Sequence, residues 1–414
     1  NGWSIMQSDC KTAYLNAKLP KPVYLRPPKG LESIVGNGKV MRLKRAVYGL
    51  GASGRLWYQL FTQKNREFGM TSITADDCVF SVRRGNSILI CAIVVDDVLQ
   101  ITNDDSLRKE WLNYMRDFFE VTDEGPLKWY LGVNYIPQPN GDLLASQKAY
   151  LQRCLEKYKL TGIKPQTTPM KHRFEINIAD LPENPDPKHV AEMRAKIGSL
   201  IFLNIWTRPD IAFAVNYLAR FTLRANRECL SAVDHIFAYL KHTQDKGIRF
   251  KAKPTNAEGK NVLVAYADTS DADCTMTSKS TGGYILFING APIAWKSGRL
   301  PLVTLSSAES EYVELTLAAQ EIISLRETLA LLGLEQVATT VYEDNQAAIA
   351  ICNNPCHRSR TRHIRRRYHF IRQCIADKSI YMSYVQSESN VADMMTKPLA
   401  DGLFSKLRRL ALNE

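Results

Sequence analysis

Apolar residues along the chain follow two different rhythms. Residues 88–95 are eight apolar residues in a row, which reads as a strand buried on both faces, with 98–101 as its return. Residues 107–119 read as an amphipathic helix, and 191–241 as mostly helical. Within that stretch Thr207 and Pro209 suit a cap and a first-turn proline for a new helix. Further on, strand candidates at 262–264, 284–287 and 340–342 alternate with a long helix over 307–332, the pattern of an α/β block. Two breaks divide these elements. Pro165, Pro169, Pro182, Pro185 and Pro187 make 163–189 an extended connector, and 253–260 is a cluster of turn residues. Three blocks result, 1–165, 166–258 and 259–414. At ~150 residues per domain, 414 residues give the same expectation of two to three domains.

Composition excludes global disorder, since 45% of residues are apolar and 23% charged. Lys plus Arg number 54 against 42 for Asp plus Glu, a formal charge of +12 that points to a polyanionic partner. The longest apolar run is far short of the ~20 residues of a membrane span. The first residues carry no charged-then-apolar leader, so neither secretion nor membrane insertion is expected. Nine cysteines without a framework read as free thiols in a reducing, intracellular compartment. The chain begins with Asn1 rather than methionine, which suggests a piece of something longer.

Asp96 and Asp97 fall where the apolar strand turns back. Adjacent carboxylates repel unless a cation lies beside them, and a pair of divalent ions aligning a hydroxyl with a phosphate is one solution. Ordinary solvated turn chemistry is the other, and the dipeptide alone favours it. The words around it change that balance. Gln7 to Asn16, containing Asp9, resembles the first polymerase motif of copia-type LTR retrotransposon reverse transcriptases. Leu43 to Leu50, followed by Arg55, Trp57 and Tyr58, is similar to the family's second conserved block. Val95-Asp96-Asp97 resembles its catalytic turn, and Leu127 to Gly132 the segment before its primer grip.

The resemblance implies a polymerase palm, an antiparallel sheet with helices, in which Asp9, Asp96 and Asp97 hold two magnesium (or manganese) ions. It places Thr12, Ala13, Tyr14 and Arg55 at the deoxynucleoside triphosphate, with the Tyr14 ring rejecting a 2′ hydroxyl. Read from its own residues, Tyr14 is equally a core aromatic. Two departures stand out. Val94 occupies the place of a family tyrosine, and Gly51-Ala52-Ser53-Gly54 that of lysine-glutamine-alanine-proline. The fingers strands expected before Asp9 are absent from this chain.

The third block has its own acids. Asp268 and Asp344 follow strand candidates, and Asp393 lies in Asn390-Val391-Ala392-Asp393. Ribonuclease H chemistry draws four carboxylates around two metals, and the fourth is Glu309 or Glu311. At ~100° per residue Glu311 lies about 60° from the centre of the helix's apolar stripe and Glu309 about 100° away. Glu311 is therefore expected to be the ligand and Glu309 to be solvated. The words Lys279 to Tyr284, Trp295 to Ser297, Leu305 to Glu309, Asp344 to Ile349 and Asp393 to Leu399 resemble the copia-type ribonuclease H. That resemblance implies an α/β domain that cleaves the RNA strand of an RNA–DNA hybrid, again with two ions.

A basic segment comes next, with seven arginines between Arg358 and Arg372. Arg358, Arg360, Arg362, His363, Arg366 and Arg367 are the nucleic-acid-binding candidates, and a solvated basic helix is the alternative. Cys352, Cys356, His357 and His363 do not match zinc-ligand spacing. Ile197 to Leu200 and Thr207 to Val215 resemble the family's helical thumb and connection, where Asp210 suits a helix's first turn. The expected protein is an RNA-directed DNA polymerase and ribonuclease H of a copia-type element. Its partners would be RNA template, DNA primer, hybrid and other parts of the same polyprotein, in a cytoplasmic virus-like particle or the nucleus. The alternative is a decayed or truncated copy that retains ribonuclease H or nucleic-acid binding alone.

Overall fold

A computed structural model describes residues 2–36, 38–73, 76–253, 261–274, 277–353 and 369–414, the side chains of 271–274 excepted. The chain divides into two compact units, Asn1–Tyr130 and Leu131–Glu414. Among the described residues no helix is long and apolar enough to cross a membrane, and the cysteines whose side chains are described are free thiols.

The first unit is built on an antiparallel sheet of β1 (Ser4–Cys10), β2 (Thr71–Ile73), β3 (Asp76–Arg84), β4 (Ser87–Val94), β5 (Asp97–Thr102) and β6 (Val121–Pro126). Its order is β2-β3-β4-β5-β1-β6. Leu89, Cys91 and Ile93 of β4 pack into a core with Trp57 and Phe61 of α1 (Ser53–Phe68) and Trp111, Leu112 and Met115 of α2 (Asp105–Arg116). Strand β4 ends one residue before the expected 95, because Val95 adopts a φ of 59°. Helix α2 begins before the expected 107, because the Asp104 side chain accepts the Ser106 N–H and caps it.

In the second unit the long helical stretch is three helices, α3 (Pro187–Trp206), α4 (Ala212–Ala219) and α5 (Arg227–His242). Asp186 caps α3 with Pro187 at its first position, so the helix starts inside the supposed connector. Thr207 ends α3 instead of capping a new helix, and its hydroxyl donates to Gln147. Pro209 opens a short 3₁₀ turn. These helices pack on a five-stranded sheet of β7 (Leu263–Cys274), β8 (Lys279–Ile288), β9 (Ala291–Arg299), β10 (Thr339–Glu343) and β11 (Ile380–Tyr384), ordered β9-β8-β7-β10-β11. β10 runs parallel to β7 and to β11.

The sheet is covered on both faces. Ile285 and Phe287 of β8 join the core of the helical block, whereas Tyr284 and Leu286 join the core under α6 (Ser307–Leu331). Two-sided burial is why this strand lacks polar alternation. The helical block and the α/β block therefore share one core, although they read as separate in the sequence.

Candidate active sites

In the first unit the acids meet across neighbouring strands. Asp9 pairs in register with Asp97, while Asp96 sits in the two-residue turn between β4 and β5. That turn has its positive φ at its first residue, as in a II′ hairpin, although Val95 is β-branched and strained there. Its carbonyl is held by the Trp57 indole N–H at 2.6 Å, and the Asp96 carbonyl accepts the Cys10 N–H at 2.8 Å. All three carboxylates are half-buried. Burial, and then Asp96, push both the Asp9 and the Asp97 carboxyls above their usual range, with Glu124 of β6 adding to each. Glu124 is an acid that the sequence words did not flag.

The other candidates of this unit differ in their exposure. Thr12 is exposed with a φ of 50°, and Ala13 is fully buried in the core. Tyr14 is half-buried, packs on that core and meets Tyr48 with ring centroids 4.5 Å apart. Arg55 is exposed on α1. Ser53, in the departing segment, starts α1, and its hydroxyl donates to the Val47 carbonyl at 2.6 Å. Val94 is exposed beside the turn.

The second unit concentrates its acids more tightly. Ligand atoms of Asp268, Asp344 and Asp393 lie within 4.8 Å of one another, and so do those of Glu311, Glu343 and Asp344. Among the described residues these are the groupings of three or more at that spacing. Asp9, Asp96 and Asp97 do not form one. Asp268 stands on β7 and Asp344 directly follows β10. Asp393 lies in a 3₁₀ turn, Val391–Met395, tied to β7 by the Asn390 amide donating to the Ala267 carbonyl at 2.9 Å. Gly283 faces Asp268 across the β7–β8 ladder, and a Cβ there would stand 2.4 Å from Met395. The glycine is what lets the Asp393 turn approach the sheet.

Lys397 completes this arrangement, its ammonium 3.0 Å from Asp393 and 3.6 Å from Asp268. The Thr396 hydroxyl donates to Asp268. Burial first and Asp393 second push the Asp268 carboxyl up to about 7. Burial likewise lifts Glu311, with Glu343 and Asp268 adding to it, and it lifts Glu343 and Asp393. Glu311 accepts the Thr269 N–H on one oxygen while the other, Oε2, has no partner, as is also true of Glu343 Oε2. Unpaired buried carboxylate oxygens fit a hard divalent cation such as magnesium or manganese, which takes oxygen ligands.

One expectation is corrected here, and another lies beyond what the structure describes. Glu309 is not solvated: it is 6% exposed, and its carboxylate accepts the Leu305 N–H at 2.9 Å while Ser306 accepts the Glu309 N–H. It serves a reciprocal helix cap. The apolar stripe misled because residues 309–316 of α6 are buried on every side. Arg358, Arg360, Arg362, His363, Arg366 and Arg367 lie outside the described residues, as do Cys356 and His357.

Glu314 was not anticipated either. It is 2% exposed with Oε1 unpartnered, and it fits only because position 282 is glycine, where a Cβ would stand 2.2 Å from its other oxygen. Burial pushes its carboxyl up to about 8, Lys296 opposing and Asp268 adding. A carboxyl whose folded pKa exceeds its unfolded value costs stability as pH rises through the folded pKa. Glu314→Gln is therefore expected to raise the thermal midpoint at pH 9, by an equivalent on the order of 4 kcal/mol, and to change it little at pH 5. Paired melting curves at the two pH values check this.

The fold and the two acid clusters define a two-unit α/β protein with one carboxylate group on an antiparallel hairpin sheet and another at the strand ends of a mixed sheet. Residues 1–172 match the reverse transcriptase (RNA-dependent DNA polymerase) family. The chain is 31% identical over 411 residues to the retrovirus-related Pol polyprotein from transposon TNT 1-94 of Nicotiana tabacum, covering 98% of this chain and 30% of that protein. To the Pol polyprotein from transposon RE1 of Arabidopsis thaliana it is 33% identical over 403 residues, covering 97% and 27%. To the transposon Ty1-DR1 Gag-Pol polyprotein of Saccharomyces cerevisiae it is 25% identical over 423 residues, covering 98% and 24%. The chain thus spans about a quarter to a third of the length of these three relatives. The expected likeness to copia-type retrotransposon Pol polyproteins extends over nearly the whole chain, and the reverse transcriptase family match covers its first part.

Proposed function

We propose that this chain copies RNA into DNA at the Asp9, Asp96 and Asp97 site and cleaves the RNA strand of the resulting hybrid at the Asp268, Glu311, Asp344 and Asp393 site. The observation that carries the reading is the second cluster. Acids from a strand, a helix, a strand end and a turn converge there in the chain order that the family words predict. Two magnesium ions per site would supply a nucleophile at neutral pH and neutralise charge on the phosphate. In the first unit, the strained Val95 turn and its Trp57 tether hold Asp96 and Asp97 beside Asp9. In the second, the buried acids exclude bulk water and Asp344 is common to both groupings.

On this reading residues 1–165 form the palm, 166–258 the thumb and connection, and 259–414 the ribonuclease H domain, with 131–165 folded in the second unit. Thr12, Tyr14 and Arg55 meet the deoxynucleoside triphosphate, and the arginines from Arg358 to Arg367 meet template, primer or hybrid. The site of action is inside the cell, in a virus-like particle or the nucleus, within a longer polyprotein. A second reading keeps ribonuclease H and loses polymerisation. It is favoured by the looser grouping of Asp9, Asp96 and Asp97 and by the Gly51–Gly54 segment.

The test is to incubate the chain and magnesium or manganese with a labelled RNA–DNA hybrid, and separately with a primed template and deoxynucleotides. Cleavage and extension together are the expected result. Cleavage alone selects the second reading, and neither activity removes both.

A further inference from the structure

Glu343 is the unexplained acid of the second unit. Strand β10 alternates strictly, with Thr339, Val341 and Glu343 buried and the residues between them half-exposed. Glu343 therefore shares a face with Val341, which packs in the core under α6. An apolar side chain is the default at such a position, and an ionisable one is rarely fully buried without a partner. Glu343 is 0% exposed all the same. One of its oxygens accepts the Asn345 N–H at 2.9 Å, which also steers the chain out of the strand so that Asp344 reaches the cluster. The other, Oε2, has no partner, and Glu311 Oε2 beside it has none either. Two carboxylates from different elements thus converge with Asp344, and each carries a buried oxygen that finds no donor. A cation supplies what a hydrogen-bond donor does not.

Charge points the same way. Four carboxylates balance two divalent ions. This cluster has five, Asp268, Glu311, Glu343, Asp344 and Asp393, together with one ammonium, Lys397. With all five ionised, the group again carries the negative charge that balances two divalent ions.

We propose that Glu343 is a fifth carboxylate ligand. With Glu311 and Asp344 it forms one divalent-cation position, while Asp268, Asp344 and Asp393 form the other and Lys397 neutralises the surplus charge. The inference rests on the ribonuclease H reading of this cluster and adds a ligand to it. Asp344 is common to both groupings. Among the described residues Lys397 makes its ion pairs with Asp268 and Asp393, so its charge bears most directly on that position.

The test counts bound manganese on the full chain by electron paramagnetic resonance, with thermal melting over the same titration. Ions at Asp9, Asp96 and Asp97 contribute equally to every variant and cancel in the differences. Glu343→Gln keeps the shape and removes the charge. It is expected to lose one manganese per chain or to weaken it at least tenfold, and to lose most of the manganese-induced rise in melting temperature. Glu343→Asp, which keeps the charge with a shorter reach, is expected to fall between the wild type and Glu343→Gln. It guards against misreading a folding defect. Asp344→Asn is expected to weaken both ions. If Glu343→Gln binds manganese as the wild type does while Asp344→Asn does not, the fifth ligand is overturned and the ribonuclease H site stands. If Asp344→Asn also binds as the wild type does, both the ligand and the underlying site are overturned.

Discussion

RNA cleavage by the Asp268→Asn chain is expected to fall at least about 10³-fold, while the same protein melts at a higher temperature than the wild type in the presence of EDTA. Asp268 is 2% exposed and is reached by the Thr396 hydroxyl and the Lys397 ammonium. Asparagine has nearly the same shape and can still accept both contacts, so the fold is preserved. The charge that would draw a divalent ion is lost. That same charge is a burden to the metal-free fold, because burial and Asp393 raise the Asp268 carboxyl to about 7. A raised carboxyl is favourable to the folded state at low pH and unfavourable as pH rises through its folded value. The gain in melting temperature should therefore be larger at pH 8 than at pH 5. Primer extension, assigned to a different unit, is expected to be unchanged. Hybrid cleavage, extension and melting at two pH values check all three. A fall in activity accompanied by a fall in melting temperature would mean that Asp268 is structural.

The second large effect lies outside either site. Arg208 and Asp210 form a fully buried pair, with two guanidinium hydrogen bonds of 2.9 and 2.7 Å to the carboxylate. The Tyr239 hydroxyl also donates to Asp210, and Arg208 spans to the Thr243 carbonyl and hydroxyl. Burial alone would push the Asp210 carboxyl up, but the adjacent guanidinium holds it below the usual range. Asp210 is thus a lock between the end of α3 and the end of α5, rather than the helix-dipole charge suggested by its place after a proline. Arg208→Met leaves a buried carboxylate without its counter-charge and is expected to cost about 3–5 kcal/mol. The pH dependence should also reverse. In the wild type, Asp210 stabilises the fold above its unfolded pKa, and that stability is lost as pH falls through the lower folded value. Without Arg208 the carboxyl titrates high, so the variant should be least stable near neutral pH and recover towards pH 5. Denaturant melts across that range check the sign.

Much of the fold was legible because it is local. The paired rhythm of β4 and β5, the 3.6-residue period of α2 and the ends of α6 depend on neighbours a few residues away. The boundaries that went wrong are also physical. Helix α3 starts at Pro187 because proline at a first position helps a helix that it would break elsewhere. Thr207 has the chemistry of an N-cap and ends a helix instead, because its hydroxyl finds a distant partner in Gln147. The helix angle that set Glu311 apart from Glu309 assumed a solvated side that this helix lacks at its start. What distinguishes the two acids is that Glu309 turns back to the Leu305 N–H at the start of its own helix, whereas Glu311 reaches across to the Thr269 N–H of β7.

The order of the acids and the words that tie the chain to copia-type polyproteins came from sequence alone, since each is written within a few consecutive residues. Which carboxyls share one field was decided in three dimensions. Asp393 raises the Asp268 carboxyl and Glu343 raises that of Glu311 through space, and the close approach of the Asp393 turn depends on Gly283 in a neighbouring strand. Glu343 and Glu314 were silent in the sequence because an isolated glutamate looks the same whether it faces water or a core. Burial is contributed by residues far along the chain, and with it come the displaced pKa values, the missing hydrogen bonds and the capacity to hold a cation.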